Sequence, residues 1–187
     1  MKGLLSLFNN LPKKSDIHHI SFCNKKLIRG AIHKNHTYSE KKEGIYMSWL
    51  KSMVEKEPPE PSNPIGTVVI GTLEPDMHLT PKEMVRKALK SAQFKCIDVG
   101  RKASALSFAQ KAVENNAQII AVSVNTGPAK TNIPALMSAI KAAGLEGKVT
   151  VMIGGAAVDK TDADAIGALF GSTKDEAVVL AKKAIGQ

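Results

Sequence analysis

From Ile65 onward the chain repeats one pattern: a short apolar run, a glycine or polar stop, then a stretch of helix length with one apolar side. The runs lie at 66–71, 95–99, 118–124, 148–153 and 168–170. They are rich in Val and Ile, too short for helices, and several are apolar without alternation. That pattern predicts strands buried on both faces. The stretches between them predict helices at about 81–92, 103–116, 130–143, 161–166 and 174–185. In the first, Met84, Val85, Ala88 and Leu89 are expected inward; in the second, Leu106, Phe108, Ala109, Ala112 and Val113. Five strand-then-helix units require a parallel sheet with helices on both faces.

At this size the expected strand order is 2-1-3-4-5, a doubly wound, flavodoxin-like (Rossmann-like) α/β fold. The winding then reverses between the first and third strands, so their carboxyl ends flank a crevice, the place where such sheets bind ligands. Asp76, Met77, His78 and Leu79 occupy the loop after the first strand. The next helix opens at Thr80, Pro81, Lys82, Glu83: Thr80 suits the N-cap, Pro81 the first helical position, and Glu83 the position whose carboxylate can reach back to the cap. Ser123, Asn125, Thr126 and Gly127 end the third strand, and Gly154 with Gly155 ends the fourth. Singly, each has an ordinary reading: a loop histidine is solvated, and a strand-end serine caps a helix. Placed together on one edge, they predict a binding site.

Upstream of this repeat the pattern dissolves. Residues 1–64 read as an N-terminal extension, with 65–187 as the folded domain. Residues 1–44 hold His18, His19, His33 and His36 with Cys23 among Asn, Lys and Ser, and read as a basic arm rather than a metal site. Ile45, Tyr46, Trp49, Leu50, Met53 and Val54 recur at helical spacing, predicting one amphipathic helix at about 45–57. The Pro-rich stretch 58–64 breaks regular structure and reads as a stiff linker. Cys23 and Cys96 suggest no disulfide framework. No apolar run reaches the length of a membrane span and no signal peptide is read, so a cytoplasmic protein is expected. The net charge of +9 raises nucleic-acid binding, but the lysines of the repeat are scattered along helices, as on a solvated face, and no nucleic-acid role is expected.

The order of the strand-end motifs carries a resemblance. A strand followed by TLEPDMHLTP, a strand ending SVNTG and a strand ending IGG resemble the cobalamin-binding domain of corrinoid methyl-transfer proteins and cobalamin-dependent methionine synthase. The family pattern is D-x-H-x-x-G after the first strand, S-x-L after the third and G-G after the fourth. Here Pro81 stands where the family has Gly, and Asn125 where it has Leu. The likeness runs from about residue 65 to 187, while residues 1–64 show one amphipathic helix where family members have a four-helix cap.

The resemblance implies a bound cobalamin or related cobamide, with His78 replacing the cofactor's own base as lower ligand to cobalt (base-off, His-on). Asp76 would hold the other ring N–H. Ser123 would line the slot for the displaced nucleotide tail, with Gly154 and Gly155 giving the backbone close passage. Met77, Leu79, Thr80, Asn125, Thr126 and Gly127 complete the expected cofactor-binding set. The implied role is a methyl carrier between methyltransferase partners, served by reactivating enzymes, with no catalytic residue of its own. Two alternatives share the motifs: a cobamide reservoir without methyl transfer, and the small cobalamin-binding subunit of a carbon-skeleton mutase. A receiver domain of the same topology needs a phospho-accepting Asp at the end of the third strand, where this chain has Ser123 and Asn125.

Overall fold

The computed structural model describes residues 57–187. The arm at 1–44, with its histidines and Cys23, and the stripe from Ile45 to Val54 lie outside the described residues. The elements are β1 (Gly66–Leu73), α1 (Thr80–Ser91), β2 (Phe94–Ala103), α2 (Ala105–Glu114), β3 (Ile119–Ser123), α3 (Gly127–Lys130), α4 (Ile133–Ala142), β4 (Thr150–Gly154), α5 (Lys160–Ala165), β5 (Leu169–Phe170) and α6 (Lys174–Ala184). The five strands form one sheet in the order β2-β1-β3-β4-β5, every pair parallel, which is the doubly wound order read from the sequence.

The central strands are apolar on both sides because both faces are covered. One face carries Val69, Ile120, Val122, Val151 and Ile153, packed with Phe108 of α2 and Leu136 and Ile140 of α4. The other carries Val68, Ile70, Ile119, Ala121 and Met152, packed with Leu89 of α1 and Ala177 and Ala181 of α6. Each Val or Ile fully withdrawn from water contributes about 1.5–3 kcal/mol, so register is set firmly. That register puts Thr72, Ser123 and Gly154 side by side across β1, β3 and β4, one step from the carboxyl edge. Below them on the same face lie Ile70, Ala121 and Met152. The top row is small and polar; the one beneath seals it with larger side chains.

Several elements differ from the sequence reading, each for a local reason. The helix expected at 130–143 is two helices. Pro134 has no N–H and its ring would meet the carbonyl of Lys130, so the turn at Gly127–Lys130 stops and α4 starts afresh at Ile133. Thr80 does not cap α1: the N-cap is Leu79 without a side-chain bond, and the Glu83 carboxylate pairs with Lys82 and Arg86 instead of reaching back. β2 runs past Gly100 to Ala103, with register shifts against Gly71 and Leu73. Leu106 and Val113 of α2 face solvent, leaving Phe108, Ala109 and Ala112 as its buried side. Lys82 and Lys90 of α1 are buried rather than solvated. The Pro-rich stretch has no helix or strand, but it is not detached. Glu57 binds Arg86 through both carboxylate oxygens at 2.6 and 2.8 Å, and Glu60 reaches Lys90 at 2.5 Å, so it lies along α1.

Candidate cofactor site

β1 ends in Thr72 and Leu73, and the chain turns through a cis Glu74–Pro75 bond to Asp76. The Asp76 side chain is fully buried, although it sits on a loop. Its charge is met by four donors. Oδ1 accepts from the His78 backbone N–H at 2.9 Å and faces the His78 ring Nδ1 at 2.6 Å. Oδ2 accepts from the backbone N–H of Asn125 at 2.6 Å and from its side-chain amide at 2.9 Å. Burial pushes this carboxyl up, but the bonds from His78 and Asn125 outweigh it and hold Asp76 below the usual carboxylate range.

An ionised carboxylate can only accept, so the 2.6 Å contact places a proton on His78 Nδ1. In a neutral imidazole the lone pair then resides on Nε2. The His78 side chain is 62% exposed, so that nitrogen is presented rather than consumed internally. Thr72, fully buried, donates its hydroxyl to the His78 carbonyl at 3.2 Å and fixes the loop from beneath. Met77 and Leu79, on either side of His78 in sequence, are exposed apolar side chains. Thr80 begins α1 and is half-buried.

Asn125 joins three strand ends. Its amide N–H donates to Asp76 and to Ser123 Oγ at 3.0 Å, while its carbonyl oxygen accepts from the Ala156 N–H at 3.3 Å. Thr126 caps the short α3 by accepting from Ala129, which leaves Gly127 on the exposed first turn. Gly154 and Gly155 close the row, and their lack of a side chain has a cause inside the protein. A Cβ on Gly154 would strike the Gly171 carbonyl oxygen, and one on Gly155, at φ 125°, would strike the Val124 carbonyl. The structure thus gathers Asp76, His78, Ser123, Asn125 and the two glycines at one edge, with Thr126 and Gly127 on the adjoining turn.

Thr72 escaped the sequence reading, because the first strand was expected to stop at Gly71 and leave Thr72 in the polar loop, whereas β1 runs on to Leu73. Its signal is the period of two that sets it on the same face as Val68 and Ile70, one position before the end of the strand.

Residues 66–181 match the model of the B12-binding domain. The chain belongs to the B12-binding domain family. It is 36% identical over 137 residues to trimethylamine corrinoid protein 1 of Methanosarcina mazei, a match spanning 73% of this chain and 63% of that one. It is 39% identical over 126 residues to dimethylamine corrinoid protein 3 of the same organism, covering 65% of this chain and 74% of that one. The crystal structure of a cobalamin-binding protein from Desulfitobacterium hafniense superposes with a TM-score of 0.62 at 25% identity, covering 65% of this chain and 59% of that one. The chain therefore spans less than two thirds of the trimethylamine relative's length.

The cofactor of this B12-binding domain is cobalamin or a related cobamide, and the residues fit such a group. An imidazole with one nitrogen anchored on a buried carboxylate and the other free is a good neutral donor to a metal. The small row Thr72, Ser123, Gly154 lies beside it on the α1/α6 face of the sheet. Among the described residues no helix is long and apolar enough to cross a membrane.

Proposed function

We propose that this domain holds a cobamide with its own base displaced and His78 as the lower ligand, and that it carries a methyl group between methyltransferase partners. The observation that supports it is the His78 imidazole, its Nδ1 proton engaged by a buried carboxylate and its Nε2 side open to solvent.

When bound, the cobamide supplies a cobalt centre able to take up and release a methyl group. The chain's part is to bind and to tune. Asp76 keeps the ring in the tautomer that leaves Nε2 unprotonated and orients it. Asn125 and Thr72 fix the carboxylate and the loop carbonyl, so the ring is oriented by bonds on several sides. Met77 and Leu79 add apolar surface next to the ligand in sequence. The row of Thr72, Ser123 and Gly154, small in volume and able to hydrogen-bond, suits the nucleotide tail. Relatives named as methylamine corrinoid proteins support the carrier role.

The test is the visible spectrum of purified protein mixed with cobalamin. The expected result is a base-off, His-on spectrum in the wild type, lost in His78→Ala. Free-cobalamin bands in the wild type would refute the ligand assignment. Adding methylcobalamin with a corrinoid methyltransferase then separates the roles: turnover supports the carrier, and binding without turnover marks a reservoir. Tighter binding of the adenosyl form would favour the mutase subunit.

A further inference from the structure

Lys82 is an unexpected residue to find buried. Its side chain is 1% exposed, and it stands in the first turn of α1, three residues after Leu79. A cation there is opposed twice, by loss of water and by the positive end of the helix. The opposition is met by two carboxylates, Asp98 at 2.5 Å and Glu83 at 2.8 Å. A pair of this kind adds little net stability over an apolar side chain of the same volume, so its use is sought in geometry.

The geometry concerns the loop that carries His78. Its first end is tied to β2 twice: the Glu74 N–H donates to the Ala103 carbonyl and the Lys102 N–H to the Asp76 carbonyl, both at 3.1 Å. Its second end is the first turn of α1, and Lys82 ties that turn to β2 as well, through Asp98. The other oxygen of Asp98 accepts from the Gly100 N–H at 2.8 Å, where β2 bends at a φ of 85°. Beyond that bend come Lys102 and Ala103. One carboxylate therefore sets both the strand bend that grips the loop before His78 and the helix turn that follows it.

We propose that Lys82 is a positioning residue for His78: its ion pair with Asp98 closes the second end of the loop, so the imidazole is held in one orientation before any cofactor arrives. The proposal rests on the ligand role of His78, and its consequence for the apo protein does not. Asp98 and Glu83 are each about one third exposed, so water can take up their charges when the ammonium is removed, and the fold survives the substitution.

The experiment compares wild type, Lys82→Met and Asp98→Asn by hydrogen exchange in the apo protein and by cobalamin affinity, in His78 and His78→Ala backgrounds. Amides of residues 77–80 are expected to exchange faster in both variants while β3 amides keep their protection. Cobalamin binding is expected to weaken about 10-fold when His78 is present and to change little when it is Ala. Equal losses in both backgrounds, or unchanged exchange at 77–80, would overturn the positioning role. If Lys82→Met loses β3 protection, Asp98→Asn, which keeps the side-chain volume, decides by the same two readings. Failure of wild-type protein to bind cobalamin through His78 would sink the ligand reading, and the apo exchange comparison would still decide whether Lys82 orders the loop.

Discussion

Asn125 donates twice to one oxygen of Asp76, from the backbone at 2.6 Å and from the side chain at 2.9 Å. The same amide spans to Ser123 and takes the Ala156 N–H, so a residue of the loop after β3 links the loops of β1 and β4 through its side chain. Asn125→Leu keeps the backbone bond but strips Asp76 of a donor and leaves the Ala156 N–H without its acceptor. A lost bond to a charged group costs about 1.5–3 kcal/mol. The variant is expected to unfold at lower urea with an unchanged slope, and to bind cobalamin about 10-fold more weakly. Full affinity on titration would show that the amide has no part in holding the ligand.

The pH dependence of stability follows from Asp76. Its carboxyl is held below its ordinary value in the folded chain, so the folded state takes up this proton less readily than the unfolded one. The stability it contributes is present above the ordinary carboxylate range of about 4, and is lost as the pH falls through the lower folded value. Glu57, held by Arg86 at about 2 against a usual 4.5, acts in the same direction. Its side chain is 44% exposed, so its share is the smaller. Urea midpoints from pH 7 to pH 2.5 should fall on the acid side for the wild type. Asp76→Asn is expected to start less stable at pH 7 and to converge on the wild type in acid. A gap constant with pH would mean that Asp76 is not ionised in the native state.

The sheet order and the gathering of Asp76, His78, Ser123 and the glycines were legible because they depend on period and position. An apolar run without alternation must be covered on both faces, and five such runs leave one common winding. Lys82 was not legible. A lysine on an amphipathic helix looks solvated unless its partner is known, and Asp98 lies 16 positions away on β2. The division between α3 and α4 was available in Pro134, but an apolar stretch on either side of the proline masked it. The use of Asn125 was half legible: its place beside the site is a matter of strand ends, while its bonds to Asp76 and Ala156 depend on three loops closing together.

Cys96 is expected to be inert. Burial pushes its thiol up to about 12, and the nearby Arg86 offsets this only in part. At pH 8 the thiolate that reacts with maleimides is then on the order of 10³-fold scarcer than in an unperturbed cysteine. Labelling the native protein and reading the peptide containing Cys96 by mass spectrometry should show slow modification that becomes fast in urea. Rapid labelling of the native protein would place that thiol near solvent and contradict its packing under α1.

Gly154 and Gly155 offer a separation between folding and cofactor binding. A methyl group on Gly154 would collide with the backbone carbonyl of Gly171, and backbone cannot rotate aside as a side chain can. On Gly155 the clash is with Val124, and the residue also sits at φ 125°, outside the conformations that side-chain-bearing residues readily adopt. Gly155→Ala therefore meets strain and overlap together, and Gly154→Ala overlap alone. Each is expected to destabilise the apo protein by about 1–3 kcal/mol, with Gly155→Ala the worse. Urea unfolding without cobalamin measures this directly. If both variants unfold as the wild type does, the protein's own backbone does not require these glycines. Any loss of cobalamin affinity would then come from the ligand alone.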